Sequence, residues 1–207
     1  EFPEINVISN VKNEQGTPIG NLGDGEAVWH ADMTYLQLPP KAGILYALEV
    51  PENQGNTHFA NMALAYNELS DQIKEKIDGK ILIHDSAHNS AGMLRKGYSE
   101  VDNPTETPGA KHPMVIIDKS TNKKLLFLGR RPHAYIVGLR IEESENLLDK
   151  IWEHATQEKY TWTQQWEKGD LLMWKNLNVL HKRDAFDPNA RRVMHRTQLK
   201  GEIAITA

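Results

Sequence analysis

The 207-residue chain contains no cysteine, which excludes disulfides and thiolate metal sites. Any metal it binds must be held by nitrogen and oxygen donors from His, Asp or Glu. Nor is there a surplus of positive charge. Lys and Arg number 24 against 28 Asp and Glu, a formal net charge of −4, so there is no basic footprint for nucleic acid. No apolar run is long enough to span a membrane, and the opening EFPEINVISN lacks the charged-then-apolar pattern of a signal peptide. Internal repeats and low-complexity tracts are missing as well. What remains, 39% hydrophobic and 25% charged residues, is an ordinary balance for a globular protein with a sizeable core. These features predict one cytoplasmic domain over residues 1–207, with no nucleic-acid or membrane partner.

Two segments carry helical periodicity. In NMALAYNELSDQIKEKIDG, Met62, Tyr66, Leu69, Ile73 and Ile77 recur at three- and four-residue steps. This predicts one helix from an Asn61 cap to a Gly79 stop. In IEESENLLDKIWEHATQ, Leu147, Leu148, Ile151, Trp152 and Ala155 form one stripe, and acidic residues crowd the first turn as the helix dipole favours. Strand-like runs surround both: GILYALEV (43–50), KILIHD (80–85), MVIID (114–118), KLLFLG (124–129), DLLMW and RRVMHRTQL. DKSTNKK reads as a hairpin turn between two of them. Strands outnumber helices and do not alternate with them, which predicts a mainly antiparallel sandwich or barrel with flanking helices rather than a doubly wound sheet. Residues 86–113, rich in Ser, Asn, Gly and Pro, are expected to form a mobile lid loop.

The stretch WHADMTY places His30 and Asp32 two apart, and on a strand such residues point to one face. Two ligands do not make a site. The third is expected from His181, which follows the strand run DLLMW. Beyond it, Arg192, Met194, Arg196 and Gln198 alternate with Val193, His195 and Thr197, which puts Arg192 and Arg196 on one strand face. Two guanidinium groups there are costly unless anions are present, and each offers a planar fork for a carboxylate. Two histidines, one carboxylate and open positions make the facial triad of non-haem Fe(II) oxygenases, and a nearby arginine fits their dicarboxylate co-substrate 2-oxoglutarate.

The residues taken together resemble the TauD/TfdA group of Fe(II)/2-oxoglutarate-dependent dioxygenases over essentially the whole chain. The motifs that carry the resemblance are WHADMTY, GNTHFANM, LGRRPHAYIVGL and GDLLMWKNLNVLHKRDAFDPNARRVMHR. Thr57 lies 25 residues after Asp32, and Arg192 and Arg196 lie 11 and 15 after His181. The resemblance implies a double-stranded β-helix, or jelly roll, of cupin type. It implies iron on His30, Asp32 and His181, with Arg192 and Thr57 holding the far carboxylate of 2-oxoglutarate. Arg196 matches a substrate-binding arginine, and could instead give a second contact to 2-oxoglutarate. Met33 matches a residue whose backbone touches substrate. Glu26 stands where the taurine enzyme has an asparagine, so it joins the substrate candidates. The family tail Trp-Asp-Asn-Arg is replaced here by Trp174, Lys175, Asn176 and Leu177, which predicts an altered charge around the last ligand. Family members also usually carry several dozen residues before this point.

The implied reaction hydroxylates a small anionic organic molecule (a sulfonate, sulfate ester, phosphonate or aryloxy or carboxylic acid), consuming O2 and releasing succinate and CO2, in a homo-oligomer of two or four chains. Two other readings compete. A zinc-dependent hydrolase would use the same donors, and a metal-free binding jelly roll would use none. His84 and His88 read as pocket or surface polar groups, Arg130 and Arg131 as a cavity mouth or solvated loop, and Trp29 and Trp174 as packing around the site.

Overall fold

The computed structural model describes residues 2–25, 27–202 and 205. Two sheets dominate it. The larger has five strands in the order Leu171–Lys175, Ala42–Glu49, Val193–Leu199, Asn6–Ser9 and Asn21–Leu22. The smaller has four, in the order Thr161–Gln164, Thr57–Asn61, Val179–Arg183 and Ala27–His30. All neighbours within them are antiparallel except the short pair Asn6–Ser9 and Asn21–Leu22. The expected mainly β architecture with flanking helices is what forms.

Strand periodicity decides what faces what. In the smaller sheet Phe59 points inward and meets Ile8, Leu45, Ala47, Trp174 and Met194 of the larger sheet in one buried cluster. Its neighbours Ala60 and Leu180 point outward and join the larger core. That core is covered by the helix Ile141–Ala155, whose stripe buries Leu148, Ile151, Trp152 and Ala155. Glu143 fixes the start of this helix by accepting from the Arg140 N–H. Gly43 is required by contact rather than by conformation. A Cβ there would lie 2.4 Å from Cζ2 of Trp174, so its absence lets the indole lie flat on the neighbouring strand.

Three expectations need correction. The helix predicted over 61–79 is two helices, Met62–Asn67 and Asp71–Ile77. Asn61 caps the first, as expected, accepting from the N–H groups of Ala63 and Leu64. Ser70 breaks the run because its backbone is extended and its hydroxyl accepts from the Ile73 N–H, opening a new helix. Apolar periodicity continues across the break, which is why the pattern hides it. Second, residues 86–113 are not all loop. Gly109–Pro113 pairs with Ile81–Asp85, and Pro104–Glu106 forms a short 3-10 turn. Third, the strand Ala27–His30 stops at His30, so Asp32 lies in the following turn rather than on the strand. The expected hairpin does form, joining Val115–Asp118 to Lys123–Leu126.

Burial of Leu148 is complete, whereas Leu64 is 48% exposed on the first helix. Leu148→Ala should lower unfolding free energy by about 2–5 kcal/mol, and Leu64→Ala should stay within about 0.5 kcal/mol of the parent. Urea unfolding curves for the two variants check this.

Candidate active site

His30, Asp32 and His181 converge between the two sheets, each offering one ligand atom, all within 4.8 Å of one another. Local pairing explains the convergence. His181 lies directly opposite His30 across the antiparallel ladder, and the register shifts just beyond, between His181 and Arg183. Asp32 reaches the same point from the turn. His30 Nε2 lies 3.5 Å from Asp32 Oδ1, and His181 Nε2 lies 3.9 Å from the same oxygen.

The His30 ring is fixed by a hydrogen bond. His30 Nδ1 lies 2.7 Å from the carbonyl of Val28, and a carbonyl can only accept, so Nδ1 carries the proton. In neutral His30 the Nε2 lone pair then faces Asp32. Burial pushes the His181 imidazole down to about 3; His30 adds to the shift and Asp32 opposes it. His181 is therefore neutral across the physiological range. Burial alone would raise the Asp32 carboxyl, but His30, His181 and Arg196 outweigh it and hold the carboxyl well below its usual range. Two imidazole Nε2 atoms and a carboxylate oxygen thus face one point, where a cation would draw them together. The donor set suits Fe(II) by type and number.

Asp32 is held at both ends. Its N–H donates to Asn176 Oδ1 at 2.8 Å and its carbonyl accepts from Asn176 Nδ2 at 2.8 Å. Gln198 Nε2 donates to its second carboxylate oxygen, Oδ2, at 2.8 Å. Only Oδ1 is left facing the histidines. Asn176 and Gln198 were not among the expected site residues. Gln198 had a signal, since it shares a strand face with Arg192 and Arg196.

An inner cavity runs from His30 and His181 to Thr57, Arg183 and Arg192, walled by Ile8, Leu45 and Trp174. Arg192 is 2% exposed, and no carboxylate of the described residues pairs with it. Burial, then the neighbouring Arg183, pushes its guanidinium down to about 9. Arg183 instead donates to the carbonyls of Leu22, Gly23 and Gly25. Thr57 Oγ1 accepts from Trp166 Nε1 at 2.9 Å, which leaves its own hydroxyl proton to be donated elsewhere. Gly55, at φ +62, lies against the Arg192 side chain. A Cβ there would lie 3.1 Å from Arg192 Nε and 3.2 Å from Phe186 Cδ1.

An outer cavity of about 550 Å³ opens on the other side of His30 and Asp32. Met33 and Tyr35 line it, Met33 with φ +51. Arg196 lines both cavities, its Nη1 3.5 Å from Asp32 Oδ1. Glu26 lies outside the described residues. Lys175 does not alter the charge at the ligands as expected. Its ammonium turns to the hairpin, 3.2 Å from Asp118.

His84 is neither a pocket nor a surface group. It is 2% exposed, stacks on Phe127 with centroids 5.0 Å apart, and burial and then His112 keep it neutral. His88 and Arg130 do line the outer cavity, whereas Arg131 pairs with Glu145 and Asp149 of the long helix. Trp174 packs 5.1 Å from the His181 ring, and Trp29 packs against the larger core.

The family model described as "Taurine catabolism dioxygenase TauD, TfdA family" matches residues 1–198. The chain is 31% identical over 208 residues to the alpha-ketoglutarate-dependent 2,4-dichlorophenoxyacetate dioxygenase of Burkholderia sp. (strain RASC), covering 97% of this chain and 69% of that enzyme. Among solved structures, AAD-2 in complex with Mn(II) and N-oxalylglycine superposes with a TM-score of 0.78 at 27% identity, covering 98% of this chain and 74% of the other. A taurine dioxygenase from Burkholderia xenovorans superposes with a TM-score of 0.75 at 29% identity, covering 98% of this chain and 66% of that one.

The buried histidines set an acid limit. His84, His112 and His181 all titrate below the ordinary histidine value of 6.5 when folded. Between 6.5 and those lower values the unfolded chain binds more protons than the folded one, so stability falls as pH falls. With a chelator present, unfolding free energy should drop on going from pH 7 to 5, by up to about 1.4 kcal/mol per pH unit for each such histidine. A flat urea midpoint over that range would refute the buried neutral rings.

Proposed function

The chain belongs to the TauD/TfdA dioxygenase family, and from that premise we propose that it hydroxylates a small anionic organic substrate at an iron held by His30, Asp32 and His181. Arg192 carries this reading. A fully buried guanidinium is costly without a carboxylate partner, Arg192 has none among the described residues, and it stands in a cavity that His30 and His181 of the converging donor set also line. A carboxylate of 2-oxoglutarate completes it. A zinc hydrolase gives Arg192 and Thr57 no role, and a metal-free binding jelly roll gives none to the converging His30, Asp32 and His181.

Bound there, Fe(II) and 2-oxoglutarate supply the oxidising chemistry that consumes O2, releases succinate and CO2, and hydroxylates a substrate C–H bond. The chain's own residues bind, orient and exclude. Arg192 meets the far carboxylate of the co-substrate with its fork. The Thr57 hydroxyl donates to the same group, because Trp166 already occupies its acceptor side. Phe59 and Trp174 pack against His181, keeping water from its ring. Asn176 and Gln198 hold Asp32 so that a single oxygen meets the metal. Arg196, on the boundary of the two cavities, can reach the substrate's anionic group or the near end of 2-oxoglutarate. Met33 presents its backbone to the outer cavity, where substrate binds.

The reading extends to one cytoplasmic domain that assembles as a dimer or tetramer. Its cysteine-free composition supports the compartment, and the exposed Tyr46, Leu171 and Met173 on the larger sheet support the assembly. Among the described residues no helix is long and apolar enough to cross a membrane.

Succinate release from 2-oxoglutarate should require added Fe(II) and be stimulated by aryloxy acids, sulfonates or sulfate esters. No release with any of them, together with unchanged metal content in His30→Ala, would sink the reading. Arg192→Ala should raise KM for 2-oxoglutarate by about 10- to 150-fold, the worth of a charged hydrogen-bond pair. Gly55→Ala should raise the same KM by a smaller factor, since its Cβ displaces the guanidinium rather than removing it.

A further inference from the structure

The guanidinium groups facing the outer cavity differ in what they touch. Arg130 donates to the Asp85 carboxylate and to the carbonyl of Asn89. Arg196 stands beside Asp32. Arg95 lines the same cavity as His30 and Asp32, is half-buried, and has no hydrogen-bond or ion-pair partner for its side chain among the described residues. Instead its guanidinium lies 4.1 Å from the centroid of the Tyr35 ring. Stacking on a ring fixes the plane of the fork and leaves its N–H edges for an incoming acceptor.

The root of Arg95 is also fixed. Its backbone N–H donates to the Ala87 carbonyl at 2.7 Å, and His88 bridges to Leu94. His88 is itself held between Asp85 at 2.9 Å and Glu100 at 3.1 Å. Ile8, Leu22, Met33 and Met93 supply apolar wall in the same cavity. An unpaired, pre-oriented cation beside apolar walls suits a ligand with an apolar body and one anionic end.

We propose that Arg95 is the specificity-determining residue of the outer cavity. It takes the carboxylate, sulfonate or sulfate of the substrate, while Arg196 stays beside Asp32. The inference rests on the function proposed above and assigns its acid selectivity to one residue.

The test uses iron-loaded enzyme with 2-oxoglutarate under argon, titrated calorimetrically with matched acid and neutral pairs. These are 2,4-dichlorophenoxyacetate and its amide, octyl sulfate and octanol, and benzenesulfonate and benzenesulfonamide. The wild type should bind at least one acid about tenfold or more tightly than its neutral partner, as a charged hydrogen bond is worth. Arg95→Gln should remove most of that preference without changing 2-oxoglutarate affinity, and Arg95→Lys should restore part of it. The preference should also weaken as salt is raised. Intact 2-oxoglutarate binding with no acid preference in the wild type, or with a preference that survives Arg95→Gln, overturns the role of Arg95 alone. Failure of the wild type to bind 2-oxoglutarate overturns the parent reading and this one with it.

Discussion

One carboxylate oxygen and two imidazole nitrogens face a common point between two sheets, and a buried guanidinium with no carboxylate partner among the described residues lines the adjoining cavity. Each arrangement opposes folding, because buried charge and facing lone pairs are stabilised by water that the sheets exclude. The fold offsets this elsewhere. Phe59, Leu45, Ala47, Trp174 and Met194 bury apolar surface around the donors, and the larger core lies directly behind the smaller sheet. The inward and outward faces of the strands Thr57–Asn61 and Val179–Arg183 therefore do opposite jobs. Thr57, His181 and Arg183 face the cavity, while Ala60 and Leu180 anchor the sheet to the helices.

Orientation follows from hydrogen bonds that reach far along the chain. Asp32 is fixed by Asn176, 144 residues away, and by Gln198, 166 residues away. The turn that carries Asp32 is thus sewn to the far end of the sequence through the larger sheet. This explains why Asp32 can serve from a turn, with the strand ending two residues earlier. Strand geometry places His30 against His181, and side-chain hydrogen bonds place Asp32. Functional geometry held by side chains in this way needs no regular backbone at the ligand itself.

Much of this could be read from the chain. The metal donors and the paired arginines announced themselves because each needs a particular residue type at a particular spacing. Most strands with strong apolar runs were found to within a residue or two, as was the long helix, but KLLFLG ends as a strand at Leu126, three residues early. Ser70 was missed as a helix break because apolar periodicity runs through it, and only cap geometry marks the boundary. Gly109–Pro113 was missed because its sequence, GAKHP, has no strand character of its own. Its pairing is dictated by the buried strand Ile81–Asp85 beside it. His84 was misplaced because no local pattern distinguishes a core imidazole from a surface one. Its site is made by Phe127, His112 and the missing side chain of Gly129, where a Cβ would lie 2.1 Å from its Nδ1.

The arrangement of cations orders the two cavities. Inside, both terminal nitrogens of Arg183 are tied to backbone carbonyls, whereas the Arg192 guanidinium has no hydrogen-bond partner among the described residues and keeps its whole fork for a dicarboxylate. The neighbouring positive charge does not compete for that anion; it raises the cost of leaving Arg192 alone and sharpens its demand for one. Arg196 then sits where both cavities meet the metal donors, and its charge helps keep Asp32 ionised. A carboxylate that stays ionised beside neutral imidazoles gives a divalent cation one negative ligand and two neutral ones. The charge left at the metal would suit one carboxylate of 2-oxoglutarate and the Arg192 guanidinium the other, so the co-substrate matches the site at both of its ends.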